Sequence, residues 1–215
     1  MRFRDRTDGG KKLAAELLDL DLVEPVVLAL PRGGVPVAFE VAETLDAPLD
    51  VFVTRKVGAP GHAELGIGAI AEGGGTVANR TALHALGLSA DQFEHLVARE
   101  REELERRVHR YRGDRPLPDV EGRDVVLVDD GLATGVTAEA ALRALRSLEP
   151  RRLVLAVPVC ARGSADRLRT LAEAVVYLYS PAEFWAVGQW YEVFGQTTDD
   201  EVLDLLARAS TRTRR

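Results

Sequence analysis

The sequence predicts an α/β fold, a parallel β-sheet flanked by helices, on three observations. Short unbroken aliphatic runs, VVLAL (26–30), VVLV (125–128) and RLVLAVPV (152–159), read as strands covered on both faces. They alternate with helical segments, the order that right-handed βαβ crossovers produce. The first two runs stop abruptly at loops of small residues, PRGGVP and DDGLATGVT.

Taken in order, residues 11–20, KKLAAELLDL, space their apolar side chains by three and four and predict an amphipathic helix. After the strand Val26–Leu30, a helical segment from about Val35 to Leu45 leads to a second strand, DVFVT. The stretch from Arg55 to Asn79 is too rich in glycine for a rigid helix, and predicts a long loop with weak strands, a hairpin or a mobile flap. Ser89 followed by Gln92 is a capping-box pattern that opens one long, largely exposed helix. Its Glu102–Arg106 and Glu103–Arg107 spacings mark its charges as structural. Beyond the loop RGDRPLPDVEGRD come the strand VVLV, the helix VTAEAALRALRSL, the strand RLVLAVPV, a helix from Ser164 to Glu173 and a last strand, AVVYLY. Residues 1–215 read as a single domain with a core of about 24–180 and a C-terminal segment of about 181–215.

Composition narrows the function classes. With 46% hydrophobic and 29% charged residues, the chain reads as an ordinary globular protein. A net charge of −6 gives no field to attract nucleic acid, and the basic TRTRR tail reads as a solvated terminus. Cys160 is the only cysteine, which excludes an internal disulfide and a thiolate metal cluster. No apolar run approaches the roughly 20 residues of a membrane helix, and MRFRDRTDGGKK lacks the apolar core of a signal peptide, so no membrane partner and a cytoplasmic location are expected.

Ligands of an open parallel sheet bind beyond the carboxyl ends of its strands, where both unusual loops fall. Gly131, Ala133, Thr134, Gly135 and Thr137 are small, and a helix begins where they end. Such a loop offers convergent backbone N–H groups and a positive dipole end to a phosphate. It is neither a Walker loop nor a GxGxxG fingerprint. Asp129 and Asp130 would repel a phosphate, but they can accept hydrogen bonds from vicinal hydroxyls or reach a magnesium ion. A ribose 5-phosphate satisfies both halves of the loop.

VVLVDDGLATGVT resembles the phosphoribosyl-diphosphate (PRPP) signature of type I phosphoribosyltransferases, and PRGGVP resembles that family's pyrophosphate loop. The resemblance runs from about Val26 to Tyr179, and the whole chain, including RKVGAPGHAELGIGAIAEGG and FWAVGQWYEVFGQ, is similar to an uncharacterised branch of the family. Gly131 departs from the pattern, since many relatives carry an aliphatic residue there. The resemblance implies the type I phosphoribosyltransferase fold with a small hood and a flexible loop. It implies transfer of 5-phosphoribosyl from PRPP to an unidentified nitrogenous acceptor with release of pyrophosphate, and Mg2+ as cofactor. By the same resemblance, Asp129 and Asp130 would hold the ribose 2- and 3-hydroxyls and reach the metal indirectly, through ribose or water, while Ala133, Thr134, Gly135, Val136 and Thr137 would wrap the 5-phosphate. Arg32 would offer charge to the pyrophosphate, Gly33 and Gly34 would let it approach the backbone through a non-proline cis bond as in relatives, and Arg55 and Lys56 would add cations. The glycine-rich segment matches the position of the family's flexible catalytic loop.

Among Phe184, Trp185, Trp190, Tyr191 and Phe194, the resemblance puts Phe184 and Trp185 forward for the acceptor in the hood, with core packing or a dimer contact an equal competitor; a homodimer stays open. A lone loop histidine, His62, is more often incidental, and His84, His95 and His109 sit in helical segments; Glu64 and Glu72 are unassigned. Two other readings stand beside the transferase. One is a PRPP- or nucleotide-sensing regulator on the same fold, and the other is hydrolysis or transfer of a different phosphorylated sugar.

Overall fold

The computed structural model describes residues 2–212, the side chains of Ala63, Glu64 and Arg212 excepted, so the last three residues of the basic tail and the side chain of Glu64 lie outside the described residues. The chain runs α1 (Arg6–Leu18), β1 (Val26–Ala29), α2 (Gly34–Leu45), β2 (Leu49–Val51), β3 (Thr54–Ala59), β4 (His62–Ala71), β5 (Thr76–Ala78), α3 (Arg80–Ala85), α4 (Ala90–Arg112), β6 (Asp124–Val128), α5 (Val136–Arg146), β7 (Arg152–Val159), α6 (Arg162–Leu168), β8 (Ala174–Tyr179) and α7 (Asp199–Arg212).

Five strands form a parallel sheet in the order β2-β1-β6-β7-β8. The unbroken apolar sequences of β1, of β6 after Asp124 and of β7 after Arg152 follow from burial on both faces, whereas β8 at the edge is half-buried. Val27, Ala29, Val126 and Val154 point to one side, against α1, α2 and α7, whereas Val26, Leu28, Val125, Leu127 and Leu155 point to the other, against α5 and α6. The chain leaves β1 through α2 toward β2 at one side of the sheet, and leaves β6 through α5 toward β7 at the other. The connections therefore diverge between neighbouring strands β1 and β6, which is where an α/β sheet opens a crevice.

Several boundaries differ from those predicted. Helix α1 starts five residues early, at Arg6, because the Asp5 side chain caps it by accepting from the Asp8 N–H at 2.8 Å. Strand β2 is only Leu49–Val51, since the chain turns into β3 within the expected DVFVT strand. The expected Ser164–Glu173 helix is instead α6, Arg162–Leu168, and α3 is a short helix within a stretch given no element by its sequence. The capping box of α4 is present, with the Ser89 N–H donating to Gln92 Oε1 and the Gln92 N–H to Ser89 Oγ. Yet α4 buries Phe93, Val97, Leu104 and Tyr111, so one face belongs to the core.

Within Arg55–Asn79 the expected hairpin is present as β4 and β5, but the long loop with weak strands is corrected, since β3 joins them in a three-stranded antiparallel sheet, β3-β4-β5. Its glycines serve close approach as well as turning. A Cβ on Gly68 would lie 2.5 Å from the Val77 carbonyl oxygen and 2.8 Å from the Phe93 ring, so only glycine lets β4 sit against both β5 and α4.

Candidate active site

The two loops at the switch point touch. A Cβ on Gly33 would lie 2.1 Å from Asp130 Oδ2, and one on Gly34 would lie 2.7 Å from the Val128 carbonyl oxygen and 2.9 Å from the Asp129 Cα. Both glycines are fixed by the approach of PRGGVP to the acid pair, and the peptide between Pro31 and Arg32 is cis. The Gly34 N–H donates to the Leu30 carbonyl and the Leu30 N–H to the Val128 carbonyl, which ties the first loop to the end of β6.

Beyond the acids, Leu132 pairs with Cys160 beside β7, and the chain turns into α5 through Gly135, whose φ of +68° suits glycine. The first-turn N–H groups of α5 lack intrahelical acceptors and carry the positive end of its dipole. Ser164 Oγ donates to the Ala133 carbonyl at 2.5 Å, and Arg167 donates to the Thr134 carbonyl, so α6 braces the loop from behind. Gly131 is explained by its neighbours. A Cβ there would lie 2.6 Å from Val187 and 2.9 Å from Val159, so Val187 of the C-terminal segment fills the space that an aliphatic residue in the loop would take.

The acid pair is electrostatically tense. Desolvation, and then the charge of Asp130, push the Asp129 carboxyl well above its ordinary range; the Asp130 N–H, Arg6 and Lys56 oppose that rise. Desolvation raises Asp130 as well, against the charge and hydrogen bond of Arg6. Arg6 and Asp130 are joined at 2.8 Å, and the Tyr191 hydroxyl donates to the Asp130 carbonyl oxygen at 2.6 Å. Burial and the acid pair lift the Tyr191 phenol far above its ordinary value, so it remains a donor.

A cavity of about 680 Å³ opens beside the pair, lined by Asp129, Thr137, Pro31, Arg55 and Lys56, with Arg99 and Arg107 contributed by α4. A second cavity, of about 670 Å³, shares Lys56 and is lined by Thr134, Val136, Arg80 and Arg167. Of the expected residues, Arg55, Lys56, Asp129 and Thr137 line the first cavity and Thr134 and Val136 the second, whereas Arg32, Gly33, Gly34, Asp130, Ala133, Gly135, Phe184 and Trp185 line neither. Arg55 donates to Glu100 of α4 at 2.6 and 3.0 Å, Arg32 lies 3.8 Å from Asp199 of α7, and Trp185 is 81% exposed. Phe184 is half-buried and faces Trp190, with ring centres 6.3 Å apart. Sequence reasoning missed Arg6, Arg99 and Val187, and read Arg107 as a structural pair with Glu103, which is present at 3.0 Å. Arg6 lies in a charged N-terminal stretch with no local motif, and what brings it to the site is the Phe3–Tyr191 bridge between distant parts of the chain.

A family model described as "Phosphoribosyl transferase domain" matches residues 4–189. This chain belongs to the phosphoribosyltransferase family. It is 47% identical over 207 residues to "Putative phosphoribosyl transferase Rv0571c" of Mycobacterium tuberculosis, and a second strain of that organism holds a relative, MT0597, with the same identity. Those alignments cover 96% of this chain and 47% of each relative, so the chain spans about half the length of the curated relatives it matches. The crystal structure of TT1426 from Thermus thermophilus is 48% identical, with a TM-score of 0.82, covering 97% of this chain and 99% of that one. The parallel sheet flanked by helices is the α/β architecture that the alternating aliphatic runs predict. No helix among the described residues is long and apolar enough to cross a membrane.

Proposed function

We propose that this phosphoribosyltransferase transfers 5-phosphoribosyl from PRPP to a nitrogenous base or related acceptor and releases pyrophosphate. The observation that carries the reading is the contact of PRGGVP with the acid pair, which sets a backbone loop, two carboxylates and a helix N-terminus around one crevice. Asp129 and Asp130 accept the ribose hydroxyls on the carboxylate lone pairs that Arg6 and the Asp130 N–H do not use. Ala133, Thr134, Gly135, Val136 and Thr137 wrap the 5-phosphate at the start of α5. Gly33 and Gly34 admit the pyrophosphate to the backbone, with Lys56 and the cavity's arginines supplying charge as the bond to the anomeric carbon breaks.

The site suits magnesium of a particular kind. Among the described residues no group of three or more His, Cys, Asp or Glu is arranged to hold a metal, so an ion at Asp129 and Asp130 would take most of its ligands from PRPP and water, as Mg2+ commonly does. When bound, the ion would neutralise charge on the departing pyrophosphate. Phe184 and Trp185 stay the proposed acceptor contacts, on the resemblance alone.

The test is thermal unfolding with and without magnesium and PRPP, followed by a pyrophosphate-release screen across purines, pyrimidines and other acceptors. PRPP at a hundred times its Kd should stabilise the protein by about 2.7 kcal/mol. Absence of any stabilisation at millimolar PRPP overturns the reading, whereas stabilisation without turnover on any acceptor favours a PRPP-sensing protein.

A further inference from the structure

Residues from both ends of the described chain meet over the acid pair, and Arg6, the first residue of α1, makes that meeting matter chemically. Its Nε donates to Asp130 Oδ2 at 2.8 Å and its Nη1 to the Gly195 carbonyl oxygen at 2.7 Å. Its guanidinium carbon lies 3.9 Å from the centre of the Phe194 ring. Phe194 in turn stacks on Tyr191 at 5.2 Å, and the Tyr191 hydroxyl holds the Asp130 carbonyl oxygen. The ion pair is nearly closed to water, with side chains 13% and 14% exposed, unlike a surface pair whose energy is spent on screening.

The two oxygens of Asp130 are not equivalent. Oδ2 receives Arg6, and it is also the atom that a Cβ on Gly33 would meet at 2.1 Å, while Oδ1 is 3.3 Å from the same point. Oδ2 holds the Arg6 bond and lies close against Gly33, which leaves Oδ1 as the oxygen for a ligand. Rotation of the carboxylate would break a charge-assisted hydrogen bond and press the group on the Gly33 backbone.

We propose that Arg6 is a positioning residue for the sugar subsite: it locks the Asp130 carboxylate with Oδ1 toward the ribose hydroxyls, and it makes α1 a working part of the phosphoribosyl site. The inference rests on the PRPP reading above. Arg6 keeps its place when the sugar binds, since its bond is to the oxygen the sugar does not use.

Isothermal titration of magnesium-PRPP, and separately of magnesium-pyrophosphate, into the wild-type protein, Arg6→Gln and Arg6→Lys tests this. Pyrophosphate alone does not need Asp130. Arg6→Gln should weaken PRPP binding about ten-fold or more, the scale of a lost charge-assisted hydrogen bond, and leave pyrophosphate within about two-fold. Arg6→Lys should recover part of the PRPP affinity, because an ammonium can hold Oδ2 without the Gly195 bond. If Arg6→Gln does not fold, Arg6→Lys carries the same comparison, with a smaller PRPP loss and unchanged pyrophosphate. Unchanged or tighter PRPP binding overturns the proposal, as does an equal loss for both ligands, which would mark a general structural effect. Wild-type protein that binds pyrophosphate but not PRPP, or neither, refutes the PRPP reading before any variant is made, and the role of Arg6 falls with it.

Discussion

At the scale of single residues, the Asp129 carboxylate works against stability at neutral pH. Burial first and the neighbouring Asp130 second raise its pKa above the ordinary 3.8. A carboxyl with a raised folded pKa holds its proton more tightly folded than unfolded, so stability falls as pH climbs from the ordinary value through the raised one. Asp129→Asn removes that burden. The free variant should unfold at a higher temperature than wild type at neutral pH, the gap should close below about pH 4, and stabilisation by magnesium-PRPP should disappear. Thermal scans across pH with and without PRPP check all three; a variant less stable than wild type at neutral pH would contradict the electrostatic account. The acid pair was legible in the sequence because its signal is local, two carboxylates ending an aliphatic strand before a run of small residues. Arg6 was not, because its meaning depends on Phe3 pairing with Tyr191, far away in the chain.

Among the elements, the β3-β4-β5 sheet shows where composition misleads. Glycine reads as loop when only its flexibility is considered, but Gly66 and Gly68 lie within β4, opposite Gly58 and Val57 of β3. The two differ sharply in surroundings. A Cβ on Gly68 would strike the Val77 carbonyl and the Phe93 ring, whereas one on Gly66 would meet nothing within 4 Å. Gly68→Val should therefore cost about 1–3 kcal/mol, as overpacked sites do. Because Gly68 holds β4 against both β5 and α4, amide exchange should also accelerate across β5. Gly66→Ala is the control and should leave urea unfolding within about 0.5 kcal/mol of wild type, as a substitution into open space. Equal effects at the two positions would return the segment to the loop that its composition suggested. The central strands β1, β6 and β7 were legible because burial on both faces leaves an unbroken aliphatic run, whereas the bounds of the short edge strand β2 were not.

Across the whole molecule, the two sheets and the long helix are joined at one buried charged cluster that no local pattern announced. Arg112, at the end of α4 and only 5% exposed, donates to Glu72 at 2.7 and 2.9 Å and to the Val51 carbonyl oxygen at 2.7 Å, and it lies 3.5 Å from Asp50. Glu72, just beyond β4, also accepts from the Val53 N–H at 2.7 Å. The spacing of the α4 charges predicts structural surface pairs; Glu103 with Arg107 is present at 3.0 Å, whereas Arg106, its side chain 77% exposed, turns to Glu103 and not to the expected Glu102. Arg112 differs because its partners come from β2 and from the turn after β4. Arg112→Met would leave Glu72 without this cation and Asp50 with Arg115 at 3.8 Å. Removing one side of a buried ion pair strands the other charge, so we expect a loss of about 3–5 kcal/mol in urea unfolding. Arg106→Ala should lose less than about 1 kcal/mol, and that loss should shrink further in high salt. Salt should barely alter the Arg112→Met deficit, since the cluster lies beyond the reach of counterions. If the two variants instead proved equally mild, the sheets would be held by their apolar contacts alone, and the cavity between the acid pair and α4 would owe its shape to packing and not to this cluster.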